Sequence, residues 1–182
     1  NYKSPSNPHG WKYYHRIVKN GVQHDKIIDR PDDRWKRLNY PIYPRKQGNH
    51  ILLVTPSEKP CKFYGIERDT WVEETVEEIK KHTDRPIRIR DKAPRQQSIT
   101  NTIFQDLDDC HALVTYQSIA AVESVLYGVP AFTMAPTAAD AVCDKNLSLI
   151  ENPTKQDIDK IHKWAHHLAY GQFHIEEFKN GK

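Results

Sequence analysis

Apolar and polar positions change rhythm at residue 50. Ile51-Leu52-Leu53-Val54 is a short continuous apolar run that stops at Thr55-Pro56-Ser57. A run of that length bounded by turn residues predicts a buried parallel strand followed by a loop. Over 69–81, Val72, Val76 and Ile79 recur at helical spacing, with Asp69 placed to cap the start and lysines at the far end. Ile87-Arg88-Ile89-Arg90 predicts a second strand. Residues 99–109 predict a second helix with Ile99, Ile103, Phe104 and Leu107 inward. Ala112–Thr115 predicts a third strand, and Ser118–Tyr127 a third helix ended by Gly128 in the left-handed C-cap position. Val129–Thr133 predicts a fourth strand, Pro130 being tolerable near its start. Leu147–Ile150 suits a short fifth strand or a turn. Thr154 is placed to cap a long helix with Ile158, Ile161, Trp164, Ala165 and Leu168 inward.

Strand–helix alternation of this kind predicts an α/β fold: a Rossmann-like parallel sheet with helices on both faces, over residues 50–182. Strands are expected near 51–55, 87–90, 111–115 and 130–134, the first of them central. Residues 1–49 differ. Pro5, Pro8, Pro31, Pro41 and Pro44 interrupt them, yet Trp11, Tyr13, Tyr14, Trp35, Tyr40 and Tyr43 are dense. This is a basic, aromatic-rich arm, or the remnant of an upstream domain, with one short helix over 32–38. Its rings need a surface to pack on, so Trp11, Trp35 and Tyr43 are expected to be at least half buried.

Composition narrows the class. At 182 residues, 37% hydrophobic and 28% charged, the chain can bury one good core. No run approaches the length of a membrane span, and the first residues lack the apolar stretch of a signal peptide. Three separated cysteines with no CxxC argue against a disulfide framework or a zinc site, and a reducing cytoplasm is the expected location. Among ten histidines no HExxH or HxxxH pair stands out. Net charge is +3 but unevenly spread. Residues 1–50 carry 11 Lys/Arg against 4 Asp/Glu, and residues 51–182 carry 16 against 20. The basic front suits an anionic partner or a solvated segment.

Open parallel sheets bind ligands beyond the carboxyl ends of their strands. The residues there are Thr55, Pro56, Ser57 and Glu58; Arg90, Asp91 and Lys92; Tyr116, Gln117 and Ser118; and Met134, Ala135, Pro136 and Thr137. Arg88, Arg90, Lys92 and Arg95 form a basic series; Arg90 and Lys92, at or past the strand end, could neutralise a diphosphate, or the series is the charges of a solvated edge strand. Ser118 is placed at a helix start, where phosphate is favoured. Glu123, on an otherwise apolar helix, needs a partner: sugar or ribose hydroxyls, or an arginine such as Arg90. No GxGxxG, GxxxxGK[ST] or GxSxG motif is present, which disfavours dinucleotide binding, P-loop chemistry and a hydrolase elbow. His111 precedes its strand and so falls at the opposite edge.

The stretch Ala112–Pro130, with Glu123…Gly128-Val129-Pro130, resembles the C-terminal donor-binding domain of GT-B glycosyltransferases. The nearer likeness is to capsular polysaccharide transferases of the Kdo-transferase type and their phage-encoded relatives. It takes in Leu53–Ser57, Pro86–Lys92 and Leu149–Pro153 as well. The resemblance implies transfer of a sugar from a nucleotide-activated donor to a glycan or other acceptor, with neither metal nor cofactor. It implies that Thr55, Ser57, Gln117 and Ser118 line the donor and phosphate site, that Glu123 meets donor hydroxyls, and that Arg90 and Lys92 offset leaving-group charge. Such enzymes have two Rossmann-like domains, and residues 1–50 are too short for the other one. The catalytic base is therefore unassigned, with His9, His15 and His24 available. Either an upstream domain or another chain completes the enzyme, or the chain is a non-catalytic sugar- or nucleotide-binding module of a larger assembly. Nucleic acid is a disfavoured partner, since no RRM, KH or helix-turn-helix pattern is present.

Overall fold

The computed structural model describes residues 14–18, 26–91 and 102–181. In chain order the elements are β1 (Tyr14–Arg16), α1 (Asp33–Leu38), β2 (His50–Val54), α2 (Glu58–Tyr64), α3 (Arg68–Lys80), β3 (Ile87–Arg90) and α4 (Ile103–Leu107). Then follow β4 (Cys110–Thr115), α5 (Ala120–Leu126), β5 (Ala131–Thr133), α6 (Ile158–Tyr170), β6 (Gln172–His174) and α7 (Ile175–Lys179). Four strands form one parallel sheet in the order β3-β2-β4-β5. β2 is interior, as its unbroken apolar run requires, and every residue of β2 and β4 is buried. The fold is α/β and Rossmann-like.

Alternation along the strands separates two cores. Leu52, Val54, Leu113 and Ala131 face Leu107 of α4, Ala121 and Val125 of α5, and Ile161, Trp164 and Ala165 of α6. Ile51, Leu53, Ala112, Val114 and Phe132 face Ile79 of α3 and Ile150, with Trp71, Val72 and Val76 partly covered. Helices therefore lie on both faces. No helix among the described residues is long and apolar enough to cross a membrane.

Local details depart from the sequence expectations for identifiable reasons. Glu67, not Asp69, caps α3, its carboxylate accepting the Thr70 amide at 2.7 Å. α2 was not anticipated; its Pro60 sits in the first turn, where the missing N–H costs nothing. α5 starts at Ala120 with Ile119 as N-cap, so Ser118 lies just outside the helix. Leu147–Leu149 is a 3-10 turn rather than a strand. The long helix starts at Ile158, capped by Asp157, and Ile158 is exposed rather than inward. Thr154 instead donates its amide (2.9 Å) and hydroxyl (2.6 Å) to the buried Asp144. α4 is shorter than expected within the described residues, and Ile99 lies outside them.

Residues 26–49 lie along the α4–α6 side. Ile27, Trp35, Tyr40 and Ile42 pack on that core. Arg34 pairs with Glu177 at 2.6 Å and lies over the Tyr170 and Phe173 rings. Trp35 is mostly covered. Tyr43 is 39% exposed and packs edge-on to Tyr127 at 5.4 Å; Trp11 lies outside the described residues. β1 and β6 form a separate antiparallel pair that the sequence did not suggest. Gly128 fixes the seam between the segment and the domain. Its φ is +84°, as a left-handed C-cap requires, and a Cβ there would stand 2.1 Å from the Pro44 carbonyl oxygen. Tyr43 N–H donates to Leu126 O at 2.9 Å and Lys46 N–H to Gly128 O at 2.8 Å. Gly128→Ala is expected to lower stability by at least about 2 kcal/mol, combining left-handed strain with overpacking. Urea unfolding measures it, and a loss below about 1 kcal/mol, the propensity difference alone, would contradict this packing.

Two buried histidines sit at the amino edge of the sheet. His50 Nε2 donates to Asp106 O at 3.0 Å, and His111 Nε2 to Ile150 O at 2.9 Å. Their Nδ1 atoms find no hydrogen-bond partner. Burial, with Arg88 near His50 and Arg85 and Arg45 near His111, holds both below the ordinary histidine range, against a smaller upward pull from Asp109 on His50 and from the Ile150 carbonyl and Glu151 on His111. The unfolded chain then binds more protons near and below its own histidine pKa of about 6.5, so stability is full above that pH and falls below it. The melting temperature is expected to drop between pH 7.5 and 5.5, and the slope to flatten in the His50→Gln, His111→Gln double variant.

Candidate functional site

The sheet order creates a switch point. From β2 the chain runs through α2 and then α3, which packs on one face, to β3 on one side. From β3 it crosses back through α4 on the other face to β4, on the other side of β2. β2 and β4 are thus neighbours, with α3 after the one and α5 after the other packed on opposite faces, and the loops that leave them lie at the carboxyl edge, where open α/β sheets take ligands. Those loops are Thr55-Pro56-Ser57 and Tyr116-Gln117-Ser118.

Four of the expected site residues, Thr55, Ser57, Gln117 and Ser118, come together on these two loops. Thr55 is buried, and its hydroxyl donates to Asp91 at 3.2 Å. Ser57 is extended and partly buried at the start of α2, with no side-chain capping bond. Gln117 Nε2 donates to Tyr64 Oη at 3.0 Å and to Pro136 O at 2.7 Å, linking the loops after three strands. Ser118 Oγ accepts the Ala120 amide at 3.3 Å. Tyr64 and Trp71 both pack edge-on to Tyr116, at 5.3 and 5.7 Å, while Phe63 on α2 is 81% exposed. Burial pushes the Tyr116 phenol up, with smaller contributions from Tyr64 and Cys61, so it remains a neutral hydrogen-bonding group.

The charges are arranged differently from the sequence expectation. Arg90 forms an ion pair with Asp106 of α4, both side chains mostly covered, so its charge braces strand to helix. The arginine expected as a partner for Glu123 is thus engaged by another carboxylate. Arg68 pairs with Asp91, on the same oxygen that accepts from Thr55. Glu123 lies in the first turn of α5, partly buried among Ala120, Ala121 and Ser124. Lys92, Arg95, His9 and His24 lie outside the described residues. His15 sits in β1 with its ring against Phe178.

Some contributors escaped the sequence reading. Tyr64 lies on α2, which carries no helical apolar stripe, and Arg68 opens α3 one residue before the expected start at 69. Asp140 closes the loop after β5, accepting from the Thr137 amide at 3.1 Å and Lys145 at 3.2 Å. His162 and His166 do form an i,i+4 pair on α6, with ring centroids 6.2 Å apart, a spacing that can be read from the sequence. No group of three or more His, Cys, Asp or Glu able to hold a metal exists among the described residues. Burial pushes the Cys110 thiol up to about 12 and raises that of Cys143, which keeps both protonated.

The chain matches no family model, no characterised protein and no solved structure. The geometry defines a Rossmann-like α/β protein with polar and aromatic side chains on the loops at its switch point. If Arg90 is a brace, Arg90→Ala and Asp106→Ala should each lower stability by about 1 kcal/mol, and the double variant should cost little more than either. Additive losses in urea unfolding would show that the two side chains act separately.

Proposed function

We propose that the carboxyl edge between β2 and β4 binds a nucleotide-activated sugar, and that this chain is the donor-binding half of a GT-B-like glycosyltransferase. The observation that carries the reading is the convergence of Thr55, Ser57, Gln117 and Ser118 on the two loops that flank the switch point. Open α/β sheets take their ligands there. In this reading the Ser57 and Ser118 hydroxyls and the Gln117 amide receive the phosphates, and Glu123 accepts from sugar or ribose hydroxyls. Lys92, two residues after Arg90 in sequence, is the cation that the resemblance sets against leaving-group charge. Transfer would need an acceptor-binding partner, a further domain or a second chain, that brings the base.

The resemblance over Ala112–Pro130 adds support. Gly128 has a full structural cause in its φ and in Pro44. The functional weight of Glu123…Gly128-Val129-Pro130 therefore falls on Glu123. A panel of UDP-, CMP- and GDP-sugars, tested by thermal shift and then calorimetry, should raise the melting temperature with at least one donor. Glu123→Gln should keep the fold and weaken that donor by roughly 1–3 kcal/mol. A lower melting temperature with unchanged donor affinity would remove Glu123 from the site, and no stabilisation by any donor would overturn the reading.

A further inference from the structure

The outer side of β3 has the features of an unfilled strand position. Among the described residues β3 pairs with β2 alone and ends the sheet. Ile51 N–H donates to Pro86 O at 2.9 Å and Thr55 N–H to Arg90 O at 3.1 Å, so alternate residues of β3 turn their main chain toward β2. Ile87 and Ile89 lie between them and turn N–H and C=O outward. Among the described residues no other main-chain or side-chain group bonds them there. Beside this edge runs a groove of about 510 Å³ between β3 and α3, lined by Val76, Lys80, Asp84, Ile87 and Ile89, with Ile89 53% exposed. An added strand would send alternate side chains into this groove, and the others to the face that carries Arg88.

Charge selects the occupant. Arg85 is spent in a bidentate pair with Glu151 (2.9 and 3.0 Å) and Arg90 in the pair with Asp106. Arg88 and Lys80 are exposed and make no ion pair among the described residues. Asp84, the acid of the groove, precedes Pro86 and so lies before the paired residues. A second copy of β3 fits poorly. Antiparallel pairing about a two-fold normal to the sheet keeps faces matched, which sets Arg88 against Arg88 or Arg90, a repulsive pairing. We propose that the open edge of β3 docks an extended segment of a partner protein in which apolar residues alternate with acidic ones. The apolar residues would fill the groove beside Val76, Ile87 and Ile89, and an acid would meet Arg88.

The test is fluorescence anisotropy at low salt with two labelled peptides, acetyl-Gly-Val-Glu-Val-Glu-Val-Gly-amide and its lysine counterpart. The acidic peptide should bind about tenfold or more tightly than the basic one. Ile89→Pro removes only an outward N–H on an edge strand, so it should keep its circular dichroism and lose the peptide. Arg88→Glu should reverse the preference toward the lysine peptide, and it tests the proposal independently of the proline variant. Equal binding of the two peptides, undiminished binding by a folded Ile89→Pro, or an unchanged preference in Arg88→Glu would each overturn the proposal. So would a concentration-dependent dimer abolished by Ile89→Pro, which would give the edge to a second copy.

Discussion

The close approach of the Pro44 carbonyl to Gly128 is the constraint on which much of this architecture depends. α5 must end where β5 is to begin, and a left-handed residue turns the chain sharply enough to do so. Only glycine does this without leaving a methyl where residues 43–46 must pass. Once they pass, Lys46 reaches the Tyr127 ring at 3.3 Å, and Tyr127 in turn donates to Asp108 at 2.6 Å. One backbone position therefore sets the end of a helix, the start of a strand and the seat of the preceding segment.

The sheet has a similar economy. Because β2 is threaded between β3 and β4, α3 and α5 pack on opposite faces, and the switch point follows from chain order alone. Side-chain chemistry then decides what the loops at this point can do. The aromatic wall and the Gln117 bridge fix the loops, while Asp91 takes up both Arg68 and Thr55. The rim is consequently less positive than a count of its arginines suggests. Its polar character rests on hydroxyls, amides and Glu123.

Much of this was legible in the sequence, for physical reasons. Strands such as Ile51–Val54 are unbroken apolar runs because both faces are covered, and Gly128 announces a left-handed turn. The harder features depend on proximity in space. Nothing local tells Arg90 to pair with Asp106, or Thr55 to bond Asp91, 36 positions away. Caps slipped by a few residues because Asp69 and Glu67, or Thr154 and Asp157, are comparable acceptors in sequence, and Thr154 is claimed by Asp144. α2 is a short, partly exposed helix whose Pro60 reads as a loop residue until its place in the first turn is seen.

The central claim is that ligand enters between β2 and β4. Hydrogen–deuterium exchange, with and without the UDP-, CMP- or GDP-sugar that stabilises the protein most, tests it most directly. The account predicts slower exchange in the peptides covering residues 55–64 and 116–123, and no change along β3. Protection confined to other surfaces, with those two loops unaffected, would contradict it.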